Sequence, residues 1–308
     1  MIATVTLNPA VDEAISTDEL VLGAQNRVGL DGLDPGGKGL NASRVIARLG
    51  RETLALGFVA GVTGALLRTW LDDEGVRNAF DDVGGLTRVN VMAYERANGR
   101  RTRIYLPGAR VEPGDLASLV ARLDALDRGT VVVFGGSVPP GLPAAVYADL
   151  IARCGSRGLR TVLDTSGPAL ACALEAQPYL IKPNAEELAE LIGAPVETEC
   201  EIVSAAREIC VRGAGAVVVS MGAAGAIGVD GTGAWHARPP RIEALSTVGS
   251  GDSMVAGLAI ALAEGSGLAE GLRLGTAAGA ATALQTGTRL CRSDDVARLL
   301  PDVAVRRI

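Results

Sequence analysis

The sequence predicts an α/β fold, with a central and mostly parallel β-sheet between two layers of helices. Strand-like apolar runs alternate with helical patterns along the chain, which is typical of parallel strands joined by crossover helices. Runs such as Val131-Val132-Val133-Phe134 are continuously apolar and indicate strands buried on both faces. No linker or repeat interrupts the 308 residues, of which 48% are hydrophobic, so we predict a single domain over 1–308.

In chain order, apolar runs predict six strands of the main sheet, at residues 2–7, 53–59, 130–134, 160–164, 179–181 and 216–220. The remaining regular segments carry apolar residues at the three- and four-residue spacing of a helix. They predict helices at residues 39–49, 64–74, 113–126, 143–156, 184–192, 200–211, 252–264, 267–284 and 293–300.

Two segments, residues 13–34 and 87–106, break this rhythm. They alternate polar and apolar residues, contain the turn pairs Asp31-Gly32 and Asn98-Gly99, and lack helix signals. We predict short antiparallel strands here. They would form one small sheet that projects from the main domain as a lid.

Composition excludes several classes of partner. The formal net charge of −6 disfavours nucleic acid or an anionic membrane as the partner. Aromatic residues make up 3% of the chain, which leaves little surface for stacking bases. His236 is the only histidine, so a histidine-based triad and a multi-histidine metal site are excluded.

Three features predict a cytoplasmic protein. The first residues have strand character and no basic leader, so no signal peptide is predicted. The longest apolar run is interrupted by Gly257 and ends at Glu264, which is too short to cross a bilayer. The five cysteines are odd in number and lack a CxxC spacing, which indicates free thiols in a reducing cytosol.

The stretch from Ser246 to Asp252, Ser-Thr-Val-Gly-Ser-Gly-Asp, leads directly into an apolar helix. The backbone N–H groups of a first helical turn lack partners, and with the helix dipole they favour an anion. An anion site beside a carboxylate base is what phosphoryl transfer to an alcohol requires. The alternative is a glycine-rich turn in which Asp252 is an ordinary helix cap.

A second glycine-rich loop, Gly32 to Gly39, imitates a nucleotide-binding P-loop. However, Gly39 stands where the hydroxyl residue should follow Lys38, and no buried strand precedes the loop. The part from Gly36 to Asn41 instead indicates a loop that opens a helix. Its bare backbone can approach a ligand, and Asn41 offers hydrogen bonds.

Three further turns follow predicted strands, at residues 135–141, 182–187 and 220–225. In open α/β sheets, ligands collect at such carboxyl ends. Within the second turn, Asn184 and Glu187 fit a helix capping box. The alternative is that they order water around Mg²⁺, which prefers oxygen ligands. The third turn is bare enough to lie against a nucleotide.

Positive charge gathers near the predicted small sheet. One group has the character of solvated strand-edge charges, and it comprises Arg96, Arg100 and Arg101. For a second group, phosphate binding competes with that interpretation. This second group comprises Arg27, Lys38, Arg88 and Arg103.

Six motifs, in chain order, resemble signatures of the ribokinase-like PfkB carbohydrate kinases. They most resemble the hexose-phosphate branch, of the 1-phosphofructokinase and tagatose-6-phosphate kinase type. The motifs are residues 6–12, 36–41, 87–90, 136–139, 182–187 and 247–252. The resemblance implies a ribokinase-like three-layer αβα sandwich with a small antiparallel β lid. It also implies ATP as phosphoryl donor, Mg²⁺ as cofactor, and a homodimer formed through the lid.

The resemblance further implies roles for individual residues. Asp252 is implied as the general base, with an anion hole formed by Gly249, Ser250 and Gly251. The residues implied to bind ATP are Lys182, Asn184, Ser220, Gly222, Gly225, Thr247, Thr276 and Ala280. Those implied to bind the sugar phosphate are Asp12, Arg27, Gly37, Lys38, Asn41, Arg88, Arg103 and Ser137. Asn184 and Glu187 are implied to organise Mg²⁺ through water.

The expected function is ATP-dependent phosphorylation of a ketohexose phosphate, first of all fructose 1-phosphate to fructose 1,6-bisphosphate. Lys38 is typical of 1-phosphofructokinase and tagatose-6-phosphate kinase relatives, whereas residues 103–109 resemble the minor 6-phosphofructokinase. Fructose 6-phosphate and tagatose 6-phosphate are therefore the alternative acceptors. Ser250 departs from the signature, which usually has Ala there. A non-catalytic sensor of sugar phosphate and nucleotide is the alternative of another class.

Overall fold

Two β-sheets organise the computed structural model, which describes residues 1–308. The strands are β1 Ile2–Thr6, β2 Ala10–Thr17, β3 Gly29–Gly36, β4 Thr53–Ala60, β5 Arg77–Val83, β6 Arg88–Glu95, β7 Arg101–Ile104, β8 Val131–Gly135, β9 Arg160–Asp164, β10 Leu180–Ile181, β11 Ala216–Ser220, β12 Ala226–Asp230, β13 Gly233–Arg238 and β14 Ala304–Arg307. The α-helices are α1 Lys38–Arg48, α2 Gly61–Asp73, α3 Leu116–Asp124, α4 Val146–Ser156, α5 Gly167–Ala173, α6 Ala185–Ile192, α7 Glu199–Val211, α8 Ser250–Ala263, α9 Leu268–Ala283 and α10 Ser293–Leu299.

The main sheet has ten strands in the order β14-β13-β12-β11-β10-β9-β8-β1-β4-β5. From β11 to β5 every neighbouring pair is parallel, and β12, β13 and β14 add an antiparallel edge. The predicted mostly parallel sheet is thus confirmed. The carboxyl ends of its parallel strands lie at one edge, where β8, β9 and β10 end beside one another.

Helices cover both faces of this sheet, as the three-layer prediction requires. One apolar core lies under α3 to α7 and a second under α1, α8, α9 and α10. The continuously apolar β8 contributes alternate residues to the two cores, with Val132 in one and Val133 in the other. This alternation explains why β8 has no polar face.

Helices α8 and α9 pack closely because small residues line their contact. A Cβ atom on Gly257 would lie 2.5 Å from the backbone nitrogen of Gly275. Two helix backbones can approach this far only where side chains are absent. The packing fixes the position of the amino end of α8, where the predicted catalytic loop lies.

The four other strands form a separate small sheet in the order β3-β2-β6-β7, as residues 13–34 and 87–106 predicted. Its two hairpins, β2–β3 and β6–β7, are antiparallel. The prediction of a fully antiparallel sheet needs one correction, because the inner strands β2 and β6 pair in parallel. Ala10 lies opposite Arg88 because both strands leave the main sheet in the same direction.

Five regular elements were not predicted from the sequence, namely β5, β12, β13, β14 and α5. β5 pairs only with β4 and carries Arg77, Asp81 and Asp82, so it lacks the apolar run of a central strand. Gly228 interrupts β12, and β13 begins at Gly233 and carries the polar residues His236 and Arg238, so neither strand shows a continuous apolar run. No helix in the structure has the length and hydropathy to cross a membrane.

Candidate active site

The amino end of α8 provides an exposed set of backbone donors. Gly249 precedes the helix with φ 79°, a left-handed conformation that glycine adopts without strain. No side chain caps the helix, and the amides of Gly251 and Asp252 donate to no acceptor within the protein. These amides and the helix dipole make the turn suited to an anion. The Ser250 hydroxyl is also buried there without a partner.

Asp252 lies in this first turn, half-buried, and its carboxylate faces α1. Asn41 Nδ2 donates to Asp252 Oδ2 at 2.8 Å. Burial raises the pKa of Asp252 to about 6, and the negative charge of Asp164 acts in the same direction. The Asn41 hydrogen bond and the charges of Lys38 and Lys182 oppose this rise in pKa. A carboxyl with this pKa is a suitable proton acceptor near neutral pH.

Asp164, at the carboxyl end of β9, joins two lysines that the sequence placed far apart. Lys38 Nζ lies 2.8 Å from Asp164 Oδ1, and Lys182 Nζ lies 3.5 Å from Asp164 Oδ2. The Asp164 side chain is 2% exposed and that of Lys182 is 5% exposed, whereas Lys38 is 36% exposed. A Cβ on Gly251 would lie 3.5 Å from Lys182 Nζ, so this lysine also borders the first turn of α8.

The electrostatics of this cluster favour the charged forms of Asp164 and Lys38. Burial acts to raise the pKa of Asp164, but Lys182 and Lys38 outweigh it and hold that pKa below its ordinary value. Burial likewise acts to lower the pKa of Lys38, and Asp164 raises it above the ordinary value. Asp164 was not singled out from the sequence. Its position at the end of a predicted strand was the available signal.

Asn184 and Glu187 form the capping box that the sequence left open as one of two alternatives. Asn184 Oδ1 accepts from the Glu187 amide and Glu187 Oε2 accepts from the Asn184 amide, both at 2.8 Å. The cap leaves Glu187 Oε1 free for other partners. Asn184 also forms a parallel bridge with Ser220, which brings the turns after β10 and β11 together.

The turn after β11 contains the predicted nucleotide-binding glycines. Gly222 has φ 58° and opens onto free space, whereas a Cβ on Gly225 would lie 2.0 Å from the carbonyl oxygen of Ala237. His236 Nε2 lies 2.9 Å from the carbonyl oxygen of Ala224 and so braces this turn from β13. No role for His236 was predicted from the sequence.

The remaining predicted nucleotide contacts lie on both sides of α8. Thr276 and Ala280 are buried on α9, and the Thr276 hydroxyl has no partner. Thr247 is exposed in the loop that precedes α8. Gly279, between the two α9 residues, lies against the carbonyl of Ser250, so this part of α9 adjoins the predicted anion site.

On the other side, the small sheet meets α1 at Asp12. Asn90 Nδ2 donates to Asp12 Oδ1 at 2.8 Å, and a Cβ on Gly36 would overlap the Asp12 carboxylate. Burial raises the pKa of Asp12, although Asn90 and Arg88 act to lower it. Gly37, with φ 124°, then turns the chain into α1. Asp12 thus lies beside the loop that carries Lys38.

Arg88 and Ser137 share a cavity of about 550 Å³ that Asn8 and Thr165 also line. Arg88 Nη2 lies 2.9 Å from the carbonyl oxygen of Asn8 and 3.3 Å from Ser137 Oγ. Burial lowers the pKa of Arg88 from its ordinary value, and its Nε atom has no partner. Thr165 directly follows Asp164, so this cavity adjoins the cluster of Lys38, Asp164 and Lys182.

The structure does not bring Arg103 or Arg27 to this cavity. Arg103 pairs with Met92, four residues along β6 from Arg88, and lines a different cavity of about 180 Å³. Arg27 is exposed in the loop between β2 and β3 and makes no hydrogen bond or ion pair. Arg101, interpreted from the sequence as a solvated charge, instead donates to the carbonyl of Leu245 and lies over Tyr94.

A parallel α/β sheet with an anion-binding helix end, a carboxylate of raised pKa and two lysines at its carboxyl edge defines a phosphotransferase site. The chain matches the model of the pfkB family carbohydrate kinases over residues 5–295 and belongs to that family.

Two curated relatives and a solved structure show how closely the chain resembles known members. It is 37% identical over 308 residues to a 1-phosphofructokinase of Bacillus subtilis, with 100% of both chains covered. It is also 37% identical to an ATP-dependent 6-phosphofructokinase isozyme 2 of Escherichia coli, with 97% of both covered. The tetrameric inhibited form of phosphofructokinase-2 from Escherichia coli superposes with a TM-score of 0.92 at 35% identity and 98% coverage of both chains.

Proposed function

We propose that this chain is an ATP-dependent kinase that phosphorylates a hydroxyl group of a ketohexose phosphate, with fructose 1-phosphate as its principal acceptor. The observation that carries the proposal is Asp252, a proton acceptor with a pKa of about 6 in the first turn of α8. The full-length similarity to a 1-phosphofructokinase supports this choice of acceptor. The similarity to an isozyme of 6-phosphofructokinase keeps fructose 6-phosphate as the second candidate.

In the proposed reaction, the acceptor hydroxyl loses its proton to Asp252 as its oxygen attacks the γ-phosphorus of ATP. The bond from that phosphorus to the β,γ-bridging oxygen breaks, and ADP leaves. The amides of Gly249 and Gly251 would donate to the phosphoryl oxygens as the charge on them shifts, and the Ser250 amide would join them by exchanging its 3.3 Å hydrogen bond to the carbonyl oxygen of Thr247. Lys182 neutralises phosphate charge at the same turn. These groups are held in place before the substrates bind, so little reorganisation accompanies the reaction.

The remaining predicted residues divide between the two substrates. We propose that ATP lies along the turns after β10 and β11 and against α9, where the donors and bare backbone are Asn184, Ser220, Gly222, Gly225, Thr247, Thr276 and Ala280. The sugar hydroxyls would contact Asp12, Gly37, Lys38 and Asn41, and its phosphate Arg88 and Ser137. We propose that the chain acts as one kinase unit in which the small sheet is a lid that excludes water.

The donor set near the proposed phosphates suits Mg²⁺. The ligand atoms are oxygens only: Glu187 Oε1 has no hydrogen-bond partner, and the buried Asp164 Oδ2 has only the 3.5 Å ion pair with Lys182 Nζ. No group of three or more His, Cys, Asp or Glu side chains encloses a metal, so water and phosphate oxygens would complete its shell. We propose that Asn184 and Glu187 would hold Mg²⁺ through water. When bound, the ion would neutralise charge on the phosphate oxygens.

Activity towards a panel of acceptors tests the proposed function. We expect kcat/KM for fructose 1-phosphate to exceed that for fructose 6-phosphate and tagatose 6-phosphate by at least about tenfold, which corresponds to about 1.4 kcal/mol of transition-state binding. Coupled ADP release with ATP and Mg²⁺ measures all three, and fructose serves as the acceptor without a phosphate.

A different order of kcat/KM would overturn the choice of acceptor but not the kinase. Absence of ADP release with every acceptor, together with retained binding of ATP, would favour the sensor alternative.

We propose further that two chains associate through their small sheets, which would bring the exposed Arg27 towards the partner's site. The tetrameric form of the Escherichia coli relative supports oligomerisation. The small sheet and its loops also expose large apolar side chains, among them Leu22 at 97%, Leu30 at 60% and Tyr105 at 61%. Such a surface is typical of an interface.

Substitution of Leu30 tests this interface. We expect Leu30→Glu to shift the chain from dimer to monomer in sedimentation velocity, because a carboxylate would be buried without a partner. Val62→Glu, on α2 and 77% exposed, is the matched control and is expected to leave the dimer intact. A dimer unaffected by Leu30→Glu would place the interface elsewhere.

A further inference from the structure

Arg44 is a buried arginine that touches three separate parts of the active-site region. It lies on α1, one turn beyond Asn41, and its side chain is 2% exposed. Arg44 Nη1 lies 2.9 Å from the carbonyl oxygen of Pro35 and 3.4 Å from Asn41 Oδ1. Its Nε and Nη2 atoms bind the carboxylate of Glu74, at 3.0 Å and 2.6 Å. Arg44 is the largest of the fully buried residues of this protein.

The contact with Asn41 decides which way the Asn41 amide faces. Arginine only donates hydrogen bonds, so the atom of Asn41 that faces Arg44 is its oxygen. The amide NH₂ group then faces Asp252 and donates to its carboxylate at 2.8 Å. In the opposite orientation, an oxygen would face a carboxylate and an NH₂ group would face a guanidinium. Arg44 therefore disfavours the arrangement in which Asp252 lacks this donor.

Glu74 holds the guanidinium in the orientation that this contact needs. It lies just after α2 and accepts from both Nε and Nη2, which is the two-point geometry that fixes a guanidinium plane. Arg44 lowers the pKa of Glu74 by hydrogen bonding and charge, against the effect of burial. Arg48, one turn further along α1, also donates to Glu74 at 3.2 Å but has no contact with Asn41.

The contact with Pro35 extends the same link to the small sheet. Pro35 lies in β3, directly before the Gly36-Gly37 pair through which the chain re-enters the main domain. Asp34, one residue earlier, hydrogen-bonds Thr288 across the gap between the small sheet and the main domain. One guanidinium thus connects the returning strand, the Asn41 amide and the end of α2.

We propose that Arg44 is a positioning residue, which holds the Asn41 amide against Asp252 and couples its orientation to the strand that returns from the small sheet. The proposal rests on the proposed function, in which Asp252 is the base. It assigns Arg44 no contact with either substrate.

The substitution Arg44→Lys tests the proposal, because lysine keeps the charge beside Glu74 but loses the fixed fork of donors. We expect turnover to fall at least about tenfold, the scale of one lost hydrogen bond to a charged group. KM for ATP is expected to stay within about threefold, because the nucleotide turns are not involved. Arg48→Lys is the matched control. It alters a Glu74 contact and the hydrogen bonds of Arg48 to the carbonyl oxygens of Leu290 and Cys291, but no contact with Asn41, and is expected to keep wild-type turnover.

A second measurement separates positioning from a purely structural effect. The groups that act on Asp252 are Asp164 from β9, Lys38 and Asn41 from α1, and Lys182 after β10. Loss of the Asn41 donor removes one of the influences that lower the pKa of Asp252. The acidic limb of kcat/KM against pH should therefore move to higher pH in Arg44→Lys and stay in place in Arg48→Lys. An unmoved limb in Arg44→Lys would contradict the proposal.

The variant Asn41→Ala completes the test. If Arg44 acts through Asn41, Arg44→Lys should lower turnover little further in that background. An equal further loss would overturn the proposal, whereas absence of phosphoryl transfer in the wild type would overturn the proposed function instead. If thermal melting shows that Arg44→Lys does not fold, the variant Glu74→Gln replaces it in the test. That variant is expected to move the acidic limb in the same direction, and an unchanged limb would also overturn the proposal.

Discussion

Substitution of Asp252 by Asn is expected to lower turnover by at least about 10²-fold, the usual scale for loss of a general base. Asparagine has nearly the same shape and can still pair with Asn41, so the free energy of unfolding should change little. The proton of the acceptor hydroxyl would then have no acceptor at the amino end of α8. Steady-state ADP release with fructose 1-phosphate measures the effect, and the melting temperature checks the fold.

The pH dependence of the wild type provides the control for this substitution. Because the base must be deprotonated, kcat/KM should rise with pH and level off above a pKa of about 6. Residual activity of Asp252→Asn should lack this limb. Near-normal turnover in Asp252→Asn would remove the catalytic role of Asp252 altogether.

Substitution of Asp164 by Asn is expected to lower both stability and turnover. The change leaves Lys182 buried and Lys38 half-buried without their shared carboxylate. Removal of one partner from a buried ion pair costs about 3–5 kcal/mol, and the exposure of Lys38 favours the lower end. The displaced lysines should also reduce kcat/KM, because Lys182 borders the proposed position of the ATP phosphates and Lys38 borders the proposed position of the sugar hydroxyls. Urea unfolding and ADP release are the measurements.

Asp73 is an exposed carboxylate on α2 without an ion pair, so Asp73→Asn is the matched control. It should leave the free energy of unfolding and kcat/KM unchanged. The sign of the pH effect gives a second check. The pKa of Asp164 lies below its ordinary value of 3.8, so its contribution is complete above that pH and is lost as the pH falls through the native pKa. The stability gap between wild type and Asp164→Asn should therefore close in acid. A gap that is absent at neutral pH would show that the cluster of Lys38, Asp164 and Lys182 contributes nothing to folding.

Much of the main sheet could be predicted because its central strands must be buried on both faces. β1, β8, β9 and β11 are buried on both faces, and β8 and β11 are almost wholly apolar, so only a sheet covered on both sides accommodates them. The edge strand β5 was missed because four of its seven residues are polar, namely Arg77, Asn78, Asp81 and Asp82. The parallel pairing of β2 with β6 was missed because the 70 residues between them give no local signal of direction.

The catalytic loop was equally accessible, since glycines before an apolar helix predict an open helix end wherever they occur. The roles of Asp164, Arg44 and Glu74 could not be predicted from the sequence. An aspartate that ends a strand and an arginine within a helix are ordinary in a sequence, and their importance depends on what lies opposite them. Lys38 and Asp164 are separated by 126 residues, and Asn41 and Asp252 by 211.

The sequence by itself determined most of the helices and central strands of this protein, its two glycine-rich helix starts and the carboxylate beside one of them. These depend on residue spacing and backbone freedom, which act over one or two turns of chain. Only the tertiary structure decided that Lys38 shares Asp164 with Lys182, that Arg88 and Arg103 line different cavities, and that Arg44 reaches Asn41. The physical reason is that strand order in a sheet brings distant segments together, and the ion pairs form only after that order is set.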